Sequence, residues 1–231
     1  MGAPVGQGHV AGDSVRPSER FAVPIVLRKP LGMVALIGAL VVAVPAVVFA
    51  GETAPGDLDR RIESILDNPP PASRAAALVV DWLGEPAGLA LSISVIAALC
   101  VICGQYRLAV LAVAGTLLVG ATTTLLKPVI DRRIYGEFQS YPSGHTAVLV
   151  ALGFVVALLM VNQLRTRQVA GLLLIVIGTA IIAGTGMAWA QVALGAHYPT
   201  DTLGGFGAAL AVMPVVAWLI DWAAARILVG R

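Results

Sequence analysis

Six stretches of this chain carry no charged residue over lengths that suit a bilayer, and polar segments separate them. Leu31 to Ala50, Pro86 to Gly104, Leu108 to Leu126, Thr146 to Asn162, Val169 to Ala190 and Leu203 to Ile220 are each near the ~20 residues that a spanning helix needs. The pattern predicts an all-α, polytopic membrane protein, a six-transmembrane-helix bundle. Residues 1–24 hold Gly, Pro, Ser, Arg and Glu without periodicity and read as a disordered tail, with His9 solvated within it. Residues 25–231 read as one membrane domain. The first apolar run starts late and lacks a small-residue cleavage pattern, so no signal peptide is expected.

The polar intervals carry their own predictions. Residues 51–85 form a loop in which Asp57 to Asp67 (DLDRRIESILD) suits a short amphipathic surface helix, ended by Pro69-Pro70-Pro71. Ala75 to Leu83 could begin the next helix, but Asp81 and Glu85 place the true span from Pro86 onward. Pro45 is a candidate kink in the first span. Pro128 biases Lys127 away from helix and so closes the third. Trp218 and Trp222 suit anchors at the end of the last.

Composition agrees and narrows the class. The chain is 58% hydrophobic and 12% charged, against about 25% charged in soluble domains. A formal net charge of +2 gives no reason to expect nucleic acid. Lysine is nearly absent while Ala, Val, Gly and Arg abound, as in a GC-rich bacterial genome. Cys100 and Cys103 sit one turn apart in an apolar helix, with no further Cys or nearby His to complete a metal site, and read as small apolar residues. With six spans, one face holds both termini and Arg16, Arg20, Arg28, Lys29, Arg107, Arg165, Arg167, Arg226 and Arg231, against the acids Asp13, Glu19 and Asp221. The positive-inside rule then puts the termini in the cytoplasm. The loops 127–145 and 191–202 face outward from the bacterial cytoplasmic membrane.

Those two loops hold the candidate chemistry. Lys127, Arg132 and Arg133 precede Pro142-Ser143-Gly144-His145, so three cations lie beside an expected helix start. Proline suits the first helical turn, and the N–H groups of Ser143, Gly144 and His145 are expected as unpaired donors that favour phosphate. In the second loop, His197 and Asp201 are four residues apart. A carboxylate on one imidazole nitrogen raises the basicity of the other, as a histidine nucleophile or base requires.

Pro142-Ser143-Gly144-His145 and Leu194-Gly195-Ala196-His197-Tyr198-Pro199-Thr200-Asp201 resemble the second and third signatures of the type 2 phosphatidic acid phosphatase (PAP2) superfamily, and Lys127 with the arginines after it resembles the first. The resemblance covers about residues 85–225. It implies a PAP2-like core and a phosphatase acting on a lipid phosphate or diphosphate, such as a polyprenyl carrier, phosphatidic acid or phosphatidylglycerol phosphate. His197 would attack phosphorus and form a phosphohistidine, Asp201 would orient it, and His145 would protonate the leaving oxygen and then activate water. Lys127, Arg132 or Arg133, Ser143 and the Gly144 N–H would hold the phosphoryl oxygens. No metal or other cofactor is implied, because fixed cations can stabilise the charge. The alternatives are a lipid phosphotransferase and a non-catalytic relative that binds anionic lipids.

The chain departs from the family pattern twice. Ile134-Tyr135 stands where the first motif usually has Arg-Pro, and Ala190-Gln191 where the third has Ser-Arg. Gln191 is then expected to give phosphate one uncharged hydrogen bond. Arg132 and Arg133 are both expected in the pocket, one replacing the missing guanidinium.

Overall fold

The computed structural model describes residues 21–66, 69–164 and 168–229. After a 3-10 turn at Ile25–Leu27 come α1 (Arg28–Val48), α2 (Asp57–Leu66), α3 (Pro71–Trp82) and α4 (Pro86–Ile102). A continuous rod follows: α5 (Tyr106–Val110), one π turn (Leu111–Gly115) and α6 (Thr116–Ile130). Two-residue strands β1 (Arg133–Ile134) and β2 (Phe138–Gln139) pair antiparallel, with Arg133 opposite Gln139. The chain continues with α7 (Gly144–Gln163), α8 (Val169–Ala193) and α9 (Pro199–Val229).

Five of these rods are long and apolar enough to cross a membrane, and the bent pair α3–α4 makes a sixth. The protein is thus an all-α polytopic membrane fold. Helix α7 runs through its middle, with Ala147, Val150, Ala151, Phe154, Val155 and Leu158 all buried. It packs on α6, α8 and α9, while α1 lies along α9. Leu36, Leu40 and Val47 of α1 and Leu117, Leu125 and Val129 of α6 point outward, as lipid-facing positions should where hydrocarbon replaces water.

Four details differ from the sequence reading. Lys127 and Pro128 both stay inside α6, which ends at Asp131 in the left-handed region (φ 50°), its N–H closing on the Lys127 carbonyl at 2.9 Å. Packing against α7 outweighs the local bias of the residue before proline. Pro71, expected among the residues that stop a helix, instead opens α3 at its first position. Residues 75–82 belong to α3, which meets α4 at 64° and lays Ala77 on Ala190 and Ala193 of α8. Finally, residues 21–24 of the expected tail are anchored. The N–H groups of Ala22 and Val23 donate to Asp221 at 2.8 and 3.2 Å, Arg107 reaches the same carboxylate at 3.1 Å, and Arg28 and Arg107 cover the Phe21 ring. The rest of that tail, His9, Arg165 and Arg167 lie outside the described residues.

Candidate active site

The two motif loops meet at one end of the bundle because α7 and α9 start side by side. The Ser143 N–H donates to the Asp201 carbonyl at 2.9 Å, which stitches the start of α7 to the start of α9. Gly205 permits this approach, since a Cβ there would lie 2.2 Å from the Ser143 carbonyl oxygen. The Ser143 hydroxyl caps α7: it accepts from the Thr146 N–H at 3.4 Å and shares a bond with the Thr146 hydroxyl. The Ser143 N–H, expected as an unpaired donor, is thus taken by the Asp201 carbonyl, while its hydroxyl caps α7. Gly144 and His145 open α7, and their N–H groups have no carbonyl one turn back within the helix.

His197 is 7% exposed, and its Nδ1 lies 3.6 Å from Asp201 Oδ2, just beyond hydrogen-bond length. That nitrogen has no other partner. Such gaps tighten when a substrate fills a catalytic site. Burial pushes the His197 imidazole below the ordinary histidine value. Asp201 opposes that shift, whereas the charges of Lys127 and His145 add to it. Lys127, half-buried in the last turn of α6, thus acts electrostatically on His197 and Asp201. Asp201 thus backs His197, and Lys127 and His145 lie near enough to act on the same ring.

Arg132 joins this group only through Asp201, and Arg133 pairs elsewhere. Arg132 is 0% exposed, and its guanidinium is closed in: NH1 donates to Asp201 Oδ1 and to the Thr200 hydroxyl, each at 2.6 Å, and NH2 to Asp59 Oδ2 at 2.7 Å. The Phe49 and Tyr198 rings cover it at 4.0 and 4.7 Å. Arg133 pairs with Asp131 at the partly exposed base of the hairpin, at 3.0 and 3.2 Å, and Gln139 donates to the same carboxylate. Bonds from these two partners hold Asp131 below the usual carboxylate range, the Gln139 amide contributing most. Three carboxylates, Asp59, Asp201 and Asp131, thus pair with the two guanidinium groups.

Gln191 likewise meets a carboxylate. It is 2% exposed, and its amide donates to Asp81 Oδ1 from across the α3–α8 contact. Asp81 and Glu85 face His145, with 3.8 and 3.5 Å from His145 Nε2 to their oxygens. The bend between α3 and α4 brings them there. A Cβ at Gly84 would lie 2.2 Å from the His145 ring, so only glycine permits the approach. The ligand atoms of Asp81, Glu85 and His145 lie within 4.8 Å of one another, the arrangement among the described residues that could hold a cation.

Asp59, Asp81, Glu85 and Thr200 were missed as site residues. Asp59 had a readable signal: with Ile62 and Leu66 it falls on the inner stripe of α2, where a carboxylate needs a partner. Burial, then the Asp59 and Asp201 carboxylates, raise Glu63 above the ordinary range. Two hollows adjoin the loops. A polar cleft of about 920 Å³ is lined by Thr53, Glu63, Arg74, Tyr135, Gly195 and Tyr198. An apolar cavity of about 330 Å³ is lined by Leu58, Ile62, Thr146, Trp189, Leu203 and Phe206.

No curated protein matches the chain. Among solved structures, it is similar to a crystal structure described as the first transmembrane PAP2 type phosphatidylglycerolphosphate phosphatase from Bacillus subtilis. The match has 22% identity and a TM-score of 0.54, and covers 87% of this chain and 96% of that one. At that identity the likeness speaks for the fold. The PAP2 superfamily model matches residues 108–225, the span from α5 to α9 that carries every motif residue described above, and the chain belongs to the PAP2 superfamily.

Proposed function

We propose that the protein is an integral-membrane phosphatase that removes phosphate from a lipid phosphate or diphosphate at the outer leaflet. The observation that carries this reading is buried His197 backed by Asp201, with His145 and Lys127 acting on the same ring. His197 attacks phosphorus through Nε2, since Nδ1 faces Asp201. The bond from phosphorus to the leaving oxygen breaks, and His145 gives that oxygen a proton. His145 then takes a proton from water as it displaces His197 and frees inorganic phosphate. Positioned acid–base catalysis of this kind contributes roughly 10²–10⁴ in rate. Lys127 and the N-terminus of α7 stabilise the phosphoryl charge without any metal-dependent step.

The polar cleft suits a headgroup and the apolar cavity the upper part of a lipid chain. The positive-inside count supports cytoplasmic termini and an outward-facing site. Phosphatidylglycerol phosphate, phosphatidic acid and polyprenyl phosphates or diphosphates are the substrate candidates. A second reading, a relative that binds anionic lipids without turnover, draws on the closure of Arg132 and Gln191 onto carboxylates. Phosphate release by the purified chain across that lipid panel separates them. Turnover of at least one member, lost in His197→Ala, is expected; no release from any member would favour the binding relative.

A further inference from the structure

The site described so far leaves two buried charges of the molecule without a task, Arg132 and Asp59. We propose that Asp59, on the short helix α2, is a positioning residue for catalysis: through Arg132 it holds the Asp201 carboxylate in the orientation that serves His197. The proposal rests on the reading of His197 as the nucleophile of a phosphatase.

Asp59 is 0% exposed, and burying a carboxylate is costly unless it is fully paired. Its pairing is complete. Oδ1 accepts from the Thr200 N–H at 2.9 Å, and Oδ2 accepts from Arg132 NH2 at 2.7 Å, the Thr200 hydroxyl at 3.0 Å and the Gly56 N–H at 3.1 Å. Thr200 and Asp201 lie in the first turn of α9, so Asp59 supplies from another helix the anion that a helix N-terminus favours.

The geometry at Asp201 shows what this achieves. Arg132 takes only one oxygen of Asp201, Oδ1. The other, Oδ2, accepts from the Tyr198 N–H at 3.0 Å and is the oxygen that faces His197 Nδ1. A guanidinium beside a carboxylate prefers the two-pronged pairing that would engage both oxygens. Asp59 prevents it by occupying NH2, and the Phe49 and Tyr198 rings keep the guanidinium plane from turning. Remove the Asp59 charge, and Arg132 is free to swing onto Oδ2 and draw it from the histidine. Arg132, placed two residues before the position where the family pattern has a phosphate-binding arginine, here serves the nucleophile's partner instead.

Four forms of the full chain in lipid nanodiscs, compared with wild type, provide the test, with a lipid phosphate that the wild type hydrolyses as substrate. They are Asp59→Asn, Arg132→Gln, the double variant, and Arg60→Ala as a control on the exposed face of α2. Asp59→Asn is expected to lower kcat at least ten-fold with KM within two-fold, and Arg60→Ala to stay within two-fold in both. Because Asp59 acts through Arg132, the double variant should turn over within three-fold of Arg132→Gln alone. A kcat for Asp59→Asn within two-fold of wild type, a loss carried by KM, or losses that multiply in the double variant would overturn the proposal. Should Asp59→Asn alone fail to fold, the double variant removes both buried charges and is read against Arg132→Gln by the same criterion. A wild type that releases no phosphate from any lipid overturns the phosphatase reading and this proposal with it. An active wild type matched by an equally active Asp59→Asn overturns only the positioning role.

Discussion

Gln191→Arg restores the guanidinium that the family pattern carries, and the structure predicts that it does little. A guanidinium reaching the phosphoryl oxygens would supply about 3 kcal/mol of transition-state stabilisation, a hundred-fold or more in rate. The Gln191 amide, however, already points at Asp81, which lies beside His145. An arginine there meets that carboxylate before it meets substrate, and a charge-assisted bond of this type contributes about 1.5–3 kcal/mol. The position is 2% exposed, so the longer side chain also costs about 1–3 kcal/mol in overpacking. The two effects nearly cancel, leaving the thermal midpoint within a few degrees at about 2–4 °C per kcal/mol for a chain of this size. Initial rates of phosphate release from detergent-solubilised protein, with the midpoint followed by intrinsic fluorescence, give both quantities. Turnover is expected to change by less than ten-fold, and adding Asp81→Asn to Gln191→Arg should raise it by freeing the guanidinium. A hundred-fold rise in the single variant would refute the assignment of Gln191 to Asp81.

Other consequences are equally direct. Because burial lowers the His197 imidazole, the nucleophile stays unprotonated to lower pH than an ordinary histidine. The acidic limb of kcat/KM should therefore fall below about pH 6.5, and a limb at or above that value would contradict the burial argument. Asp221→Ala leaves the buried Arg107 charge without that carboxylate and frees two backbone N–H groups. It should cost about 3 kcal/mol or more in stability, while kcat per folded molecule, far from the site, is unchanged; an unaltered midpoint would refute the anchoring role. In a background lacking Cys100 and Cys103, Glu137→Cys at the hairpin should react with an impermeant thiol reagent in intact cells, and Leu164→Cys at the end of α7 only after permeabilisation. Reversed labelling would place the site in the cytoplasm.

What could be read from the sequence was whatever local pattern decides. Spans without charge over ~20 residues declare themselves, and His197 with Asp201 one helical turn on needs only four residues to announce a paired imidazole. What could not be read depended on partners far away in the chain. Arg132 looked like a phosphate ligand because Asp59, 73 residues earlier, signals by its place on α2 that it needs a partner but not which one. Gln191 finds Asp81 at a separation of 110 residues, and Ala22 finds Asp221 at 199. In each case a carboxylate decided the outcome, and for buried Asp59 and Asp221 a low-dielectric interior makes an unpaired charge so costly that any reachable donor is taken. The end of α6 failed for a different reason: the local bias before Pro128 is weak beside the packing of a whole rod.

The central claim is that His197 carries the phosphoryl group between lipid and water. Rapid-quench labelling with a lipid substrate bearing labelled phosphate tests it most directly. An acid-labile, base-stable adduct on His197, absent together with turnover in His197→Ala, is the predicted result; label that persists in that variant, or that resides on Ser143, would contradict it.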